Sequence, residues 1–297
     1  MTTDPADTLA GRYGPVAAMA LAVLVLWYGG ALWLNGPQAA EALTRSGTGW
    51  GTADLIRQAF AMKRPVLPTP DQVAVDLWNS LTGHPVTSIR NLLYHTAVTA
   101  GSALTGFAMG VVLGVALAAG IVQVRTLESS LLPWIIASQT IPILAIAPMI
   151  VVILGNMGFT GLLPKAVISM YLCFFPITVG MVKGLRSADP LALDLMRTYS
   201  ATTRQTFRLL RLPAALPFLF ASLKIAVAAS VVGAIVGELP TGGQAGLGAR
   251  LLSGSYYGQT VQIWSALVMS AVLSVALVAA VGAAERLFVR AGRGGAR

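Results

Sequence analysis

A chain of 297 residues with 56% hydrophobic and only 10% charged side chains cannot build a water-facing surface, for which about 25% charged residues is usual. Its single cysteine, Cys173, excludes a disulfide framework, and two histidines, His84 and His95, are too few for a His-rich metal site. The net charge of +9 does not mark a nucleic-acid binder, because the basic residues collect in short links between apolar runs.

No charged residue occurs between Arg12 and Glu41, Arg90 and Arg125, Glu128 and Lys165, Lys165 and Lys183, or Arg250 and Glu285. A helix needs about 20 mainly apolar residues to cross the hydrocarbon core. The intervals therefore predict an all-α chain with membrane helices near 14–34, 96–121, 132–154, 165–184, 219–239 and 262–285. The first contains Trp27 and Trp33 and lacks a small-x-small cleavage site, so it reads as a signal-anchor helix. Residues 35–94 follow as an external segment, and the two together make an N-terminal part, 1–94. Gly47-Thr48-Gly49 and Leu67-Pro68-Thr69-Pro70 interrupt helix there. Val73, Leu77, Trp78 and Leu81, then Ile89, Leu92 and Leu93, recur at rough helical spacing, which predicts short amphipathic helices on the membrane surface.

The second span carries Gly106, Gly110 and Gly114 on one face, a pattern that lets helix backbones approach closely. Pro133, Pro142 and Pro148 predict either a broken or a kinked third span. In the fifth, Lys224 reads as an interfacial anchor.

Orientation follows from the basic residues. With six spans, one side holds Arg12, Arg125, Lys183, Arg186, Arg197, Arg204, Arg208, Arg211, Arg286, Arg290, Arg293 and Arg297. The other holds Arg45, Arg57, Lys63, Arg64, Arg90, Lys165 and Arg250, mostly in one long segment. The positive-inside rule then predicts both termini, the basic tail 291–297 and the long 185–218 link in the cytoplasm.

That link is the most informative stretch. Asp194 and Arg197 are spaced to face each other on a helix, Ser200 and the following threonines offer caps for a second one, and Phe207, Leu210 and Leu212 form a candidate apolar knob. From Asp194 to Pro213 it resembles the EAA motif of binding-protein-dependent ABC permeases, which reads Glu-Ala-Ala, three residues, Gly, nine residues, Ile, one residue, Leu-Pro. Asp194 stands at the Glu position, Ser200 at the Gly, Leu210 at the Ile, and Leu212-Pro213 at the closing pair, with Ala201, Arg204 and Phe207 between them. A left-handed turn where the motif has glycine would cost serine about 1 kcal/mol or more.

Leu67-Pro68-Thr69-Pro70-Asp71-Gln72-Val73, His95-Thr96 with Gly106-Phe107 and Gly110, and Gly237-Glu238 with Gly246-Leu247-Gly248 are similar to the sulfonate, taurine, nitrate and thiamin-precursor branch of that family. The resemblance covers roughly residues 65–290. It implies a type I importer permease core over 95–290 in a bacterial inner membrane, with a coupling helix in the 185–218 link. The partners it implies are a cytoplasmic ATPase dimer, a second copy of the permease or a homologue, and an extracytoplasmic binding protein delivering a small polar solute.

Glu238, with Gly246 and Gly248, is a candidate gate or pathway site, and equally a carboxylate that caps backbone amides. The chain has no catalytic or cofactor motif. Gly242-Gly243-Gln244 lacks the lysine and hydroxyl of a phosphate loop. An ion-coupled carrier is the alternative, but inverted repeats and a midplane acid are not visible.

Overall fold

The computed structural model describes residues 5–47, 49–241 and 245–294, with side chains described over 14–47, 49–241 and 245–288. Thr48, Gly242, Gly243 and Gln244 lie outside the described residues, as do the side chains of Arg12, Arg290, Arg293 and Arg297. Every regular element among the described residues is helical. Among the described residues five helices are long and apolar enough to cross a membrane, and there are six crossings if one bent pair counts as a single span. The chain divides into two compact units, Met1–Asn91 with Leu251–Leu267, and Leu92–Arg250 with Val268–Arg297.

In the first unit, α1 (Pro5–Arg45) runs well past the expected end near residue 34, α2 spans Thr52–Ala61 and α3 spans Pro70–Thr82. The extension has a packing reason: Ala31, Asn35 and Ala39 lie one helical turn apart and are completely buried, on a helix that packs against α2. Asn35 organises the chain beside it. Its amide nitrogen donates to the carbonyls of Ala59 (3.3 Å) and Leu67 (2.9 Å), and its amide oxygen accepts from the N–H groups of Val66 (2.8 Å) and Leu67 (3.1 Å). The Val66 and Leu67 groups belong to a proline-rich turn and the Ala59 carbonyl to the last turn of α2, where a helix leaves its acceptors open.

The helix stops at Gly47, whose φ of +71° suits glycine. Thr69 and Gln72 cap α3: Gln72 accepts from the Thr69 N–H at 3.1 Å and donates to the carbonyls of Phe60 and Met62. Burial pushes the Asp71 carboxyl up, but the neighbouring polar groups, among them the Tyr28 hydroxyl that donates to it at 2.9 Å, outweigh burial and hold the group below its ordinary range.

The second amphipathic helix expected before residue 94 does not form. Residues 83–91 make a turn, closed by Asn91, whose amide donates to the carbonyls of Leu81 (3.1 Å) and His84 (2.7 Å). Leu92 and Leu93 instead open the next long helix.

The second unit holds α4 (Leu92–Gln123), α5 (Arg125–Ser138), α6 (Ile143–Asn156), α7 (Leu162–Arg186), α8 (Pro190–Thr198), the single turn α9 (Thr203–Thr206) and α10 (Leu212–Glu238). After α10 come α11 (Leu247–Tyr256) and α12 (Thr260–Gly294), both of which pass from one unit to the other. Its centre is α4, α7 and α10 in mutual contact. The glycine face of α4 lies on α7. A Cβ on Gly110 would stand 2.7 Å from the Cβ of Cys173, and one on Gly114 would stand 2.9 Å from the Cβ of Ile177. The glycine spacing thus serves packing within one chain.

The third span is broken, not kinked. α5 and α6 meet at 101°. Pro142 is the residue before α6 and has no N–H to continue α5, while Ser138 and Thr140 hydroxyls bond the carbonyls of Ile135 and Ala137 at 2.7 Å. Pro133 and Pro148 sit inside α5 and α6 without ending them. Lys224 is also not a free interfacial anchor. It lies well inside α10, which begins at Leu212, and its ammonium pairs with Glu285 of α12 at 2.5 Å.

Candidate functional site

The link after α7 folds into two short helices around a defined turn. Asp189 starts α8, its side chain accepting the Leu191 N–H at 3.0 Å, and Pro190 stands in the first turn. Asp194 and Arg197 pair at 2.8 Å on the exposed face. The helix ends on Ser200, whose φ of +51° makes it the one non-glycine residue with positive φ among the described residues. The Ala201 N–H reaches back to the Met196 carbonyl at 2.9 Å and the Ser200 N–H to the Arg197 carbonyl at 2.9 Å. This is a Schellman closure, with Ser200 at the left-handed position where glycine is preferred. The serine therefore keeps the turn and carries its strain.

Thr202, not Ser200, caps the second helix. Its hydroxyl accepts from the Gln205 N–H at 3.3 Å and its own N–H donates to the Gln205 side chain at 2.8 Å. α9 then leads into a π-helical turn, Phe207–Arg211, in which the Leu212 N–H bonds the Phe207 carbonyl. The wide turn lies directly before Pro213, which has no N–H to offer to the helix.

The expected apolar knob is corrected by this geometry. Phe207 and Leu212 pack inward on a cluster that includes Ile121, Met181 and Leu185, and Leu210 is half-buried. Leu209, in the π-helical turn, points outward (69% exposed), and so do Leu191, Leu195 and Tyr199 of α8 and its end, which are 78%, 55% and 77% exposed. These last three follow one another at four-residue steps, so they form one stripe along α8. Arg204 is exposed beyond the turn, and Ala201 lines a cavity of about 320 Å³ with Gln123, Arg197 and Arg211. The sequence contains the stripe, but Leu191 precedes the motif and Leu195 and Tyr199 fall between its fixed positions.

The second candidate site is built at the other end of α10. Glu238 is completely buried. Its carboxylate accepts from the Thr99 hydroxyl (2.8 Å) and from the Gly248 N–H (2.7 Å). Thr99 in turn accepts the Leu247 N–H at 2.8 Å, and Nδ1 of His95 lies 3.0 Å from both the N–H and the carbonyl of Gly246. Three successive backbone N–H groups at the start of α11 thus each meet a side chain of α4 or α10, where a helix leaves its donors unpaired. A carboxylate is favoured there by the helix dipole as well.

The glycines make the approach possible: a Cβ on Gly248 would stand 2.9 Å from the Cβ of Glu238, and Gly246, at φ +126°, has its open side against the Glu238 carboxyl. Lys165, only 7% exposed, places its ammonium 3.5 Å from the Ala245 carbonyl. Of the two readings of Glu238, this geometry favours the cap. Thr99 and Lys165 were not singled out from sequence. The four-residue spacing of His95 and Thr99, and a lone lysine between two charge-free runs, were the available signals.

Glu238→Ala leaves the Gly248 N–H and the Thr99 hydroxyl without an acceptor, at about 1–3 kcal/mol for each buried orphan, so the melting temperature of the purified protein should fall clearly. Glu238→Gln keeps one acceptor and should melt close to the parent. An unchanged melting temperature in the alanine variant would overturn the cap. Normal uptake by both variants would exclude a gate.

Residues 110–293 match the model of the family described as binding-protein-dependent transport system inner membrane component. The chain belongs to this family. It is 32% identical over 226 residues to the riboflavin transport system permease RibX of Chloroflexus aurantiacus, covering 76% of this chain and 80% of that protein. It is 35% identical over 186 residues to the formylaminopyrimidine transport permease ThiX of Halalkalibacterium halodurans, covering 62% and 68%. It is 26% identical over 210 residues to the putative aliphatic sulfonates transport permease SsuC of Bacillus subtilis, covering 70% and 71%. The protein is therefore a multi-pass inner-membrane permease subunit of an ABC importer, and the ion-coupled carrier falls away. Family membership brings with it an ATPase and a substrate-binding protein as partners.

Proposed function

We propose that two copies of the permease form the pathway for a small polar, heterocyclic solute handed over by an extracytoplasmic binding protein, and that the 185–218 link docks on a separate cytoplasmic ATPase dimer. One observation carries the docking: α8 presents Leu191, Leu195 and Tyr199 outward on a helix closed by a strained left-handed residue, amid basic links. An apolar stripe outside the span has no lipid to cover it and fits a protein cleft. Asp194, Ser200, Ala201, Arg204, Phe207, Leu210, Leu212 and Pro213 then act together, the first four shaping the exposed turn, Phe207 and Leu212 seating it on the core, and Leu210 and Pro213 leading it into α10.

The solute class is supported by the charge-free spans and by the two relatives whose names specify riboflavin and formylaminopyrimidine transport. Uptake into vesicles holding the permease, its ATPase and its binding protein should favour such compounds over an alkanesulfonate. Preference for the sulfonate would overturn that part of the reading.

Both termini lie in the cytoplasm in this reading. Cys173 is buried, so an introduced cysteine reports alone. Gly47→Cys should react with an impermeant thiol reagent added outside intact cells, and Thr203→Cys only after the cytoplasm is opened. The reverse pattern would overturn the orientation.

A further inference from the structure

We propose that the cleft between α5 and α7 binds an anionic phospholipid from the leaflet that faces the 185–218 link. The two helices are tied at separate points. The Tyr171 hydroxyl donates to the Ser138 carbonyl, and Arg186 pairs with Glu128 at 2.8 Å. Between the ties lies an open cleft of about 580 Å³, walled by Leu132 and Ile136 of α5, Val179 and Val182 of α7, and Phe218 of α10. Its mouth carries Lys183 and Arg186, three residues apart and so on one face of α7.

The charges at that mouth are unequal to one another. Arg186 is engaged by Glu128, whereas Lys183 is exposed and makes no ion pair among the described residues. Arg125, one turn before Glu128, opens with it on a second recess along α5. Three cations and one carboxylate therefore leave two positive charges in excess. An apolar slot ending in uncompensated positive charge has the chemistry of an acyl chain with a phosphate headgroup. Basic recesses between membrane helices hold such lipids, and each basic group near the surface contributes a few-fold in affinity. A zwitterionic lipid would gain nothing from the excess charge.

The test uses the full-length permease with its ATPase, stripped of lipid in detergent, and counts bound lipid by native mass spectrometry. Dioleoyl phosphatidylglycerol should be retained over dioleoyl phosphatidylcholine. Lys183→Gln should weaken the former about fivefold and leave the latter unchanged. Val179→Trp, which fills the slot and keeps the charges, should remove phosphatidylglycerol by more than tenfold. Should it lower the melting temperature of the lipid-free protein, Ile136→Trp on the opposite wall takes its place, because Ile136 is 52% exposed.

Equal retention of the two lipids overturns the proposal. So does displacement of phosphatidylglycerol by glycerol 3-phosphate, which would leave a bare anion site. Efficient disulfide formation between two copies of Val179→Cys would assign the cleft to a second chain and also overturn it.

Discussion

Leu195→Asp should abolish uptake and co-purification of the ATPase while leaving the melting temperature of the permease unchanged. Leu195 is 55% exposed and lies outside the cluster on which Phe207 packs, so the isolated chain tolerates a carboxylate there. In a docked complex the same carboxylate would be buried without a partner, at several kcal/mol, which corresponds to a loss of affinity of a hundredfold or more. Phe207→Asp should behave in the opposite way. Phe207 packs on the cluster around Leu185, so the charge damages the permease itself and lowers its melting temperature before any question of docking arises. The pair separates contact from support. If Leu195→Asp leaves uptake and ATPase binding intact, the α8 stripe is not the docking surface.

Gly110→Leu should prevent recovery of a folded permease. A Cβ at this position would already lie 2.7 Å from the Cβ of Cys173 and 3.4 Å from the backbone nitrogen of Phe174. Neither can give way: the first is on a buried residue and the second is main chain. Overpacking of this kind typically costs 1–3 kcal/mol, roughly, for extra methylenes in a core that can adjust, and α4 against α7 cannot adjust without separating the backbones. Gly155→Ala on α6 is the control. A Cβ there meets nothing within 4 Å, so expression and melting temperature should be unaffected. Equal yields of the two variants would show that the glycine face is not a packing contact.

Charge distribution and apolar run length were enough to read an all-α, multi-pass membrane chain, because lipid admits few other backbones and tolerates few charges. The spacing from Asp194 to Pro213 located the linking turn for a similar reason: a left-handed closure and a proline-adjacent start are local backbone requirements that leave a mark at fixed intervals. What stayed hidden depends on partners far apart in the chain. Proline positions could not tell a kink from the 101° break, whose Ser138 carbonyl is met by the Tyr171 hydroxyl of α7, a partner more than thirty residues away.

The inward or outward direction of Phe207 was decided by α4 and α7, which supply the cluster beneath it. Glu238 looked like a lone charge at the end of a span. Only the fold brought Thr99, more than a hundred residues earlier in the sequence, to its side and turned the start of α11 toward both. Local rules of solvation and backbone geometry are written into consecutive residues. The partner that satisfies a buried polar group is chosen by packing, and packing exists only in the tertiary structure.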